Sequence, residues 1–190
     1  MPQLLTGIFT AFGLSASAGL NAYIPLLVVG LIGHYFPNLM TLTQPWDTLA
    51  NGWIILLLCI LVIIEMLADK VPAVNHINDL IQTVVRPAAG AIAFAASANV
   101  VTEISPVLAL ACGLLVAGTV HVAKAGVVRP MVTATTGGAG NTPVSIAEDV
   151  LSTVLSILAV ILPVVIGTLL VVLASFILYW LYKRANRETT

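Results

Sequence analysis

Charge is scarce in this chain and unevenly distributed. Seven Lys and Arg and eight Asp and Glu occur in 190 residues, so charged residues make up 8% of the sequence. No Lys or Arg precedes Lys70, and the residues before it include only three carboxylates, on Asp47, Glu65 and Asp69. Because a soluble domain carries roughly 25% charged residues, this composition excludes an ordinary soluble domain.

Apolar residues take the place of the missing charges. They make up 59% of the sequence, and the mean hydropathy is +1.09. A helix crosses the hydrocarbon core of a bilayer with about 20 mainly apolar residues. The long apolar runs therefore predict an all-α, polytopic fold, a single integral membrane domain over residues 1–190. The net charge of −1 gives no indication of nucleic acid as a partner.

The apolar runs predict about six transmembrane helices. Four runs are each expected to cross once, at residues 4–33, 53–68, 87–101 and 106–122. A single helix over residues 145–184 would be roughly 60 Å long, so we expect it to divide near Pro163 and Gly167 into two crossings. In an alternative, its first half is only half-inserted.

Two further features interrupt the apolar runs. The small residues before Asn21, together with Pro25, favour a break or a re-entrant bend between those two positions. A short amphipathic helix is predicted at residues 74–85, before the crossing at 87–101.

The basic residues predict the orientation. With six crossings, all seven Lys and Arg fall on one side, and the loops on the other side contain none. The positive-inside rule makes the basic side cytoplasmic, with both termini on it.

The charged and histidine residues in the middle of the chain fall in the cytoplasmic half of this topology. The candidate ion or proton pathway consists of Glu65, Asp69, Glu148, Asp149 and Asn21. Their candidate charge partners are Lys70, Asp79, Arg86, His121, Lys124 and Arg129, and His76 lies in the same group. In one interpretation these charges only hold helix ends together. In the other they form a pathway, because charge at bilayer depth is costly and is usually functional.

A glycine-rich stretch offers backbone ligands. Gly137, Gly138, Gly140 and Asn141 precede Thr142-Pro143, which is typical of a helix N-cap followed by proline. The polar residues after it are spaced 3, 1, 3 and 4 apart and share one helical face, at Ser145, Glu148, Asp149, Ser152 and Ser156. The carboxylates on that face favour a cation site over an anion site.

Enzyme motifs are missing from the sequence. No His, Cys or carboxylate group has zinc spacing, and no Gly-x-Ser-x-Gly or phosphate-loop pattern occurs. We therefore assign no catalytic residue and no cofactor, and leave any metal undetermined.

Several motifs together resemble a known family. They are Ala16-Ser17-Ala18-Gly19-Leu20-Asn21-Ala22-Tyr23-Ile24-Pro25-Leu26, Glu65-x2-Ala68-Asp69-Lys70-Val71-Pro72, Arg86-Pro87, His121-x2-Lys124-Ala125 with Arg129, and Thr136-Gly137-Gly138-x-Gly140-Asn141 leading to Ser145-x2-Glu148-Asp149. Over nearly the whole chain they are similar to a bacterial integral-membrane family catalogued as domain of unknown function four-one-two-six. The resemblance implies a small multi-pass protein of the inner membrane and implies no activity.

The sequence thus predicts a channel or secondary transporter for a small cation or polar solute that uses membrane-buried carboxylates. One alternative is a scaffold that transports nothing, and another is a protein that binds or processes lipid headgroups. Small-residue surfaces favour self-association, so the expected partners are membrane lipids and further copies of the chain.

Overall fold

The computed structural model describes the backbone of residues 2–70, 72–97 and 105–187, and every regular element in these ranges is helical. Inside the helices, the side chains of residues 2–5, 72–77, 79, 164, 166, 167, 170, 181, 182 and 185–187 are not described. The α-helices are α1 (Pro2–Leu20), α2 (Tyr23–Tyr35), α3 (Gly52–Ala68), α4 (Pro72–Ser97), α5 (Pro106–Ala123), α6 (Arg129–Thr136), α7 (Asn141–Ile161) and α8 (Pro163–Arg187). A 3₁₀ turn at Trp46–Ala50 precedes α3, and a π-helical turn at Lys124–Val128 joins α5 to α6.

Helices α1 and α2 are the two arms of a bent hairpin. The loop after α2, at residues 38–43, lines a pocket of about 590 Å³ together with Thr6 and Thr10 of α1. A straight helix through residues 6–38 would carry that loop roughly 48 Å from Thr6, so the chain must reverse direction between the two helices. Residues 4–33 therefore do not form one crossing. The predicted re-entrant bend is present where α1 ends at Leu20 and α2 begins at Tyr23.

The other helices alternate in direction around this hairpin. Gly90 of α4 lies against Gly113 of α5. Thr83, which precedes Gly90, contacts His121, which follows Gly113, so these two helices are antiparallel. Helix α7 is antiparallel to α1, because Ser17 contacts Ser156 while Asn21 contacts Asp149.

Helix α8 begins with Pro163 at the pocket that Thr6 lines, and reaches Ile177 in a second cavity that Ala16 lines. We call the end of the bundle with Thr6 and Pro163 the pocket end, and the end with Asn21 and Asp149 the charged end. Helix α1 starts at the pocket end and α8 finishes towards the charged end. The prediction of both termini on one side has no support in this fold, because the hairpin adds one reversal to the chain.

The helices have the composition of membrane helices. Within the described residues, three stretches are long and apolar enough to cross a bilayer, at Leu80–Ser97, Pro106–Thr136 and Asn141–Ile161. Four shorter apolar stretches accompany them, at Thr6–Leu20, Tyr23–Tyr35, Gly52–Ala68 and Val171–Trp180. Large apolar side chains are exposed along α3, α5, α7 and α8. The all-α prediction is confirmed for the described residues, whereas a count of six crossings is not.

Pro163 and Pro87 have different effects on their helices. The division of the last apolar run at Pro163 is confirmed, since α7 ends at Ile161 and α8 begins with this proline. The separation of residues 74–85 from 87–101 is wrong, because α4 continues through Pro87. The ring of Pro87 lies on the side of α4 that faces Gly118 of α5. Prolines inside membrane helices are tolerated where neighbouring helices and local adjustments satisfy the freed backbone groups.

Small residues bring the central helices close together. The hydroxyl of Ser15 on α1 donates to the carbonyls of Gly90 (3.1 Å) and Gly113 (2.8 Å). Alanines 89, 93 and 117 pack into the same core. This contact holds α1, α4 and α5 in the orientation that aligns their polar residues at the charged end.

Candidate functional site

The candidate site is built around the break between α1 and α2. The side chain of Asn21 caps α2, because its oxygen accepts the backbone N–H groups of Tyr23 (3.2 Å) and Ile24 (3.1 Å). Its amide nitrogen donates to Asp149 of α7 at 3.0 Å. Asn21 is fully buried. Asn21 therefore satisfies two free backbone N–H groups at the start of α2 and joins α2 to α7.

Opposite charges complement the two helix ends at the break. The carboxylate of Glu65 accepts the backbone N–H of Ala22 at 3.1 Å, at the start of α2. The ammonium of Lys124 donates to the carbonyl of Leu20 at 3.0 Å, at the end of α1. A helix N-terminus carries partial positive charge and a C-terminus partial negative charge. Glu65 and Lys124 are both buried, so they stabilise these ends where water cannot.

Arg86 of α4 neutralises Glu65. Its Nη2 lies 2.9 Å from Oε1 of Glu65 and 3.4 Å from Oδ2 of Asp69. Both residues were predicted to face the interior, and they do. Of the candidate charge partners, Lys124 and Arg129 lie beside Asp69, whereas Lys70 pairs with Asp149. The ion-pair partner of Glu65 is instead Arg86, because α4 continues through Pro87 and places this guanidinium beside the break.

His121 lies behind Arg86. Its Nδ1 is 3.4 Å from Nη1 of Arg86, and its Nε2 is 3.2 Å from the hydroxyl of Thr83. A guanidinium can only donate, so Nδ1 is the acceptor and the proton of a neutral ring is on Nε2. His121 thus orients Arg86.

Asp69 is the centre of a second group of charges. Its carboxylate lies 2.9 Å from Arg129 and 3.7 Å from Lys124, and it accepts a hydrogen bond from Asn78 at 2.6 Å. Asp69 follows the last residue of α3, outside the apolar stretch. Burial by itself would raise the pKa of Asp69, but Lys124, Arg129 and Arg86, with the Asn78 hydrogen bond, together lower it. The carboxylate is therefore held ionised.

Glu148 of α7 completes this group. Its Oε2 lies 2.7 Å from Lys124 and 3.5 Å from Arg129. Both bases are thus within ion-pair distance of this buried oxygen. We regard each contact as an ion pair, because attraction between opposite charges depends on distance far more than on angle.

Lys70 and Asp149 form the part of the network nearest to solvent. Their charged atoms are 3.4 Å apart, and the Lys70 side chain is 26% exposed. Lys70 also donates to the carbonyl of Met66 at the end of α3. Asp149 bonds to Asn21, so a continuous chain of polar contacts leads from this lysine to the helix break.

A serine contact extends the polar groups into the core. The hydroxyl of Ser17 on α1 lies 2.8 Å from that of Ser152 and 2.7 Å from that of Ser156, both on α7. Ser17 also donates to the carbonyl of Ser152, whose hydroxyl donates back to the carbonyl of Ser17. All three serines are fully buried. The spacing along α7 predicted this polar face, whereas the role of Ser17 was missed because its neighbours are all small.

The glycine-rich stretch lies outside the buried network. Gly137 and Gly138 adopt positive φ, of 63° and 92°, and end α6 in a turn. The amide of Asn141 donates to Thr133, and both residues contact each other at the surface. Thr142 does not cap α7, which begins one residue earlier, at Asn141. The contacts of this turn are among its own residues, Thr133, Thr136, Gly140 and Asn141, and its predicted role as a source of backbone ligands stays a prediction.

The structure therefore unites most of the predicted residues. One network contains Asn21, Glu65, Asp69, Lys70, Arg86, His121, Lys124, Arg129, Glu148 and Asp149. Asp79 lies on α4, but its side chain and that of His76 are outside the described residues. Among the residues described, no group of three His, Cys, Asp or Glu side chains is arranged to hold a metal ion.

Four carboxylates and four bases make the described network electrically balanced. An all-helical chain with apolar outer faces and a buried, balanced charge network has the features of a polytopic membrane protein. The family model "Domain of unknown function (DUF4126)" matches residues 8–184, and the chain belongs to this family. No curated protein and no solved structure matches it.

Proposed function

We propose that this protein is a channel or secondary transporter that carries a small cation or polar solute across the membrane, with proton linkage. The observation that carries the proposal is a series of buried polar groups along α1 and α7. Polar contacts join the partly exposed Lys70 to Asp149 and Asn21, and Ser17 with its two serine partners lies four residues before Asn21 on α1. A series of this kind is costly in a bilayer and marks a pathway more often than a structural feature.

The helix break is the second support. Transporters commonly bind solutes where a membrane helix is interrupted, because backbone groups are then free to act as ligands. Here Glu65 and Lys124 occupy those backbone groups. A solute that reaches the break competes with these two side chains, so binding and rearrangement of the network are coupled.

Lys124 is the base best suited to proton linkage. Arginine stays protonated in proteins, whereas a buried lysine can release its proton. Lys124 contacts the Leu20 carbonyl, Asp69 and Glu148. Loss of its proton would remove the positive charge that pairs with Glu148 and would weaken its hydrogen bond to the end of α1. Glu148 could then bind a cation, with Arg129 as its charged partner.

An apolar region separates the serines from the pocket end. Leu14 and Ala159 are fully buried between Ser156 and the pocket that Val160 and Pro163 line. Transport requires this region to open, and movement of the α1–α2 hairpin against α7 would open it. The state described here is thus closed towards the pocket end.

Purified protein in liposomes tests the proposal through proton and cation flux. We expect Ser17→Val to abolish flux, because the larger apolar side chain interrupts the series of polar groups. Thr153→Val is the matched control, since Thr153 is next to Ser152 on α7 but is exposed, and its hydroxyl donates to the Asp149 carbonyl of its own helix. Glu65→Gln and Glu148→Gln should also lose flux. Flux that is equal in wild type and Ser17→Val would refute the pathway.

Two rival functions give different results in the same assay. A scaffold is favoured by the electrical balance of the described charge network, and it predicts folded, lipid-free protein without flux. Binding of lipid headgroups by Lys70, Arg86, Lys124 and Arg129 predicts no flux and a copurifying lipid that Arg129→Ala loses. Either result would replace transport as the function.

For location, we propose the bacterial inner membrane with the charged end in the cytoplasm, since Lys70, Lys183 and Arg184 lie towards that end. In a variant without Cys59 and Cys112, single cysteines at Asn38 and Thr135 report on opposite ends, and both positions are exposed. An impermeant thiol reagent added outside intact cells should label Asn38→Cys alone. Labelling of Thr135→Cys alone would show that the charged end faces outward instead.

We further propose that the protein associates with itself through its apolar outer faces. Cross-linking in native membranes should then give a defined oligomer, and a result of monomer alone would reject this.

A further inference from the structure

An apolar groove of about 440 Å³ runs along the outside of the bundle, away from the charge network. Its floor is α1, with Phe9, Phe12 and Ala16. One wall is α5, from Leu115 to Val120, and the other is α8, from Val171 to Ile177. Both wall helices pack against α1. The groove therefore opens sideways, towards the lipid around the protein.

The lining of the groove suits a hydrocarbon chain. Among the lining residues whose side chains the structure describes, Thr119 alone is polar, and its hydroxyl donates to the Leu115 carbonyl of its own helix at 2.8 Å. The groove consequently offers no hydrogen-bonding group to a polar guest. A helix of a second copy has a diameter of roughly 10–12 Å and needs a broad face rather than a channel between two walls.

The α8 wall continues into a basic, aromatic surface. Leu173 and Ile177 line the groove, and Trp180 and Arg184 follow at spacings of 3 and 4 on the same helical face. The guanidinium of Arg184 lies 5.5 Å from the centre of the Trp180 ring, and Lys183 beside it is exposed. Tryptophan favours the membrane interface, and clustered Lys and Arg there attract anionic headgroups.

The distances match one leaflet. From Leu173 to Arg184 the helix rises about 16 Å, which is roughly half of a 30 Å hydrocarbon core. A lipid whose phosphate lies at Arg184 would place its acyl chain along the groove.

We propose that this groove binds an anionic phospholipid, with one acyl chain between α5 and α8 and the headgroup at Lys183 and Arg184. The site is distinct from the charge network, and the proposal does not depend on transport.

Native mass spectrometry of the full chain, released from nanodiscs of equal phosphatidylglycerol and phosphatidylcholine, tests this site. Wild type should retain one phosphatidylglycerol in preference to phosphatidylcholine. Ala174→Trp fills the groove and should lose retention of both lipids. Lys183→Gln with Arg184→Gln should keep lipid but lower the preference roughly thirtyfold, as expected for two interfacial charges.

Val172→Trp is the matched control, because Val172 is an exposed neighbour of Ala174 that does not line the groove. Its lipid retention should equal that of wild type. Equal retention in Ala174→Trp and Val172→Trp would overturn the proposal, as would an unchanged preference in the charge variant. If Ala174→Trp instead abolishes cross-linked dimers while lipid retention stays the same, the groove is a contact between copies and the proposal fails. Elution and thermal unfolding of each variant confirm that it is folded.

Discussion

Arg86 and Glu65 form an ion pair of 2.9 Å in which neither side chain has exposed surface. The same carboxylate accepts the N–H of Ala22, so the ion pair is joined directly to the helix break. Removal of either charge leaves the other buried without its main partner, and such changes cost about 3–5 kcal/mol. The pair is therefore a sensitive test of the network.

We expect Glu65→Leu and Arg86→Leu each to destabilise the protein by about 3–5 kcal/mol. The double variant should lose less than the sum, because no uncompensated charge of the pair remains. Unfolding in mixed micelles measures all four proteins of this cycle. Asp47→Leu, in the exposed 3₁₀ turn, is the control and should be nearly neutral. Additive losses in the double variant would show that the two charges do not interact.

Asn21→Ala should reduce stability and transport together. Loss of a helix cap costs about 0.5–2 kcal/mol, and this change also removes the partner of Asp149. Asn51 is a matched control, because its side chain caps α3 by accepting the N–H of Trp53 at 2.9 Å in an exposed loop. Asn51→Ala should reduce the unfolding temperature without reducing flux. If both variants lose flux in proportion to stability, the position of Asn21 has no special role.

Gly113→Ala should separate α4 from α5. A Cβ atom there would collide with the Gly90 carbonyl and with Phe94. Overpacking of this kind costs about 1–3 kcal/mol. At Gly118, five residues further along α5, the nearest atom to a new Cβ is a Pro87 carbon at 3.7 Å. Gly118→Ala should be tolerated, and unfolding temperatures compare the two. Equal effects would mean that α4 and α5 are not in close contact.

Stability should fall in acid through Asp69. Its pKa is lowered from 3.8 in the folded protein, so its contribution to stability is complete above that value. The contribution is lost as pH falls through the lower, folded pKa, because the unfolded chain then binds the proton more readily. Asp69→Asn should be less stable at neutral pH and show a smaller loss below pH 3.8. The free energy of unfolding, measured against pH for wild type and Asp69→Asn, tests this prediction. A parallel pH dependence of the two proteins would contradict it.

Much of the candidate site followed from sequence because charge is so rare here. In an apolar chain each charged residue needs a partner, so Glu65, Asp69 and Glu148 could be grouped with Lys124 and Arg129 before any contact was known. The pairing itself did not follow. Arg86 joins Glu65 only because α4 continues through Pro87, and whether a proline ends a helix depends on what packs beside it.

Local composition by itself determined the apolar helices, the break at Asn21 and the division at Pro163. Each of these depends on the chain's own backbone chemistry and on transfer of side chains from water. The tertiary structure decided the direction of α2 after the break, the exclusion of the Gly137–Gly138 turn from the network, and the contact of Ser17 with α7. The contact of Ser17 with α7 joins residues more than 100 apart in sequence. Packing between helices, rather than any local preference, selects among such arrangements.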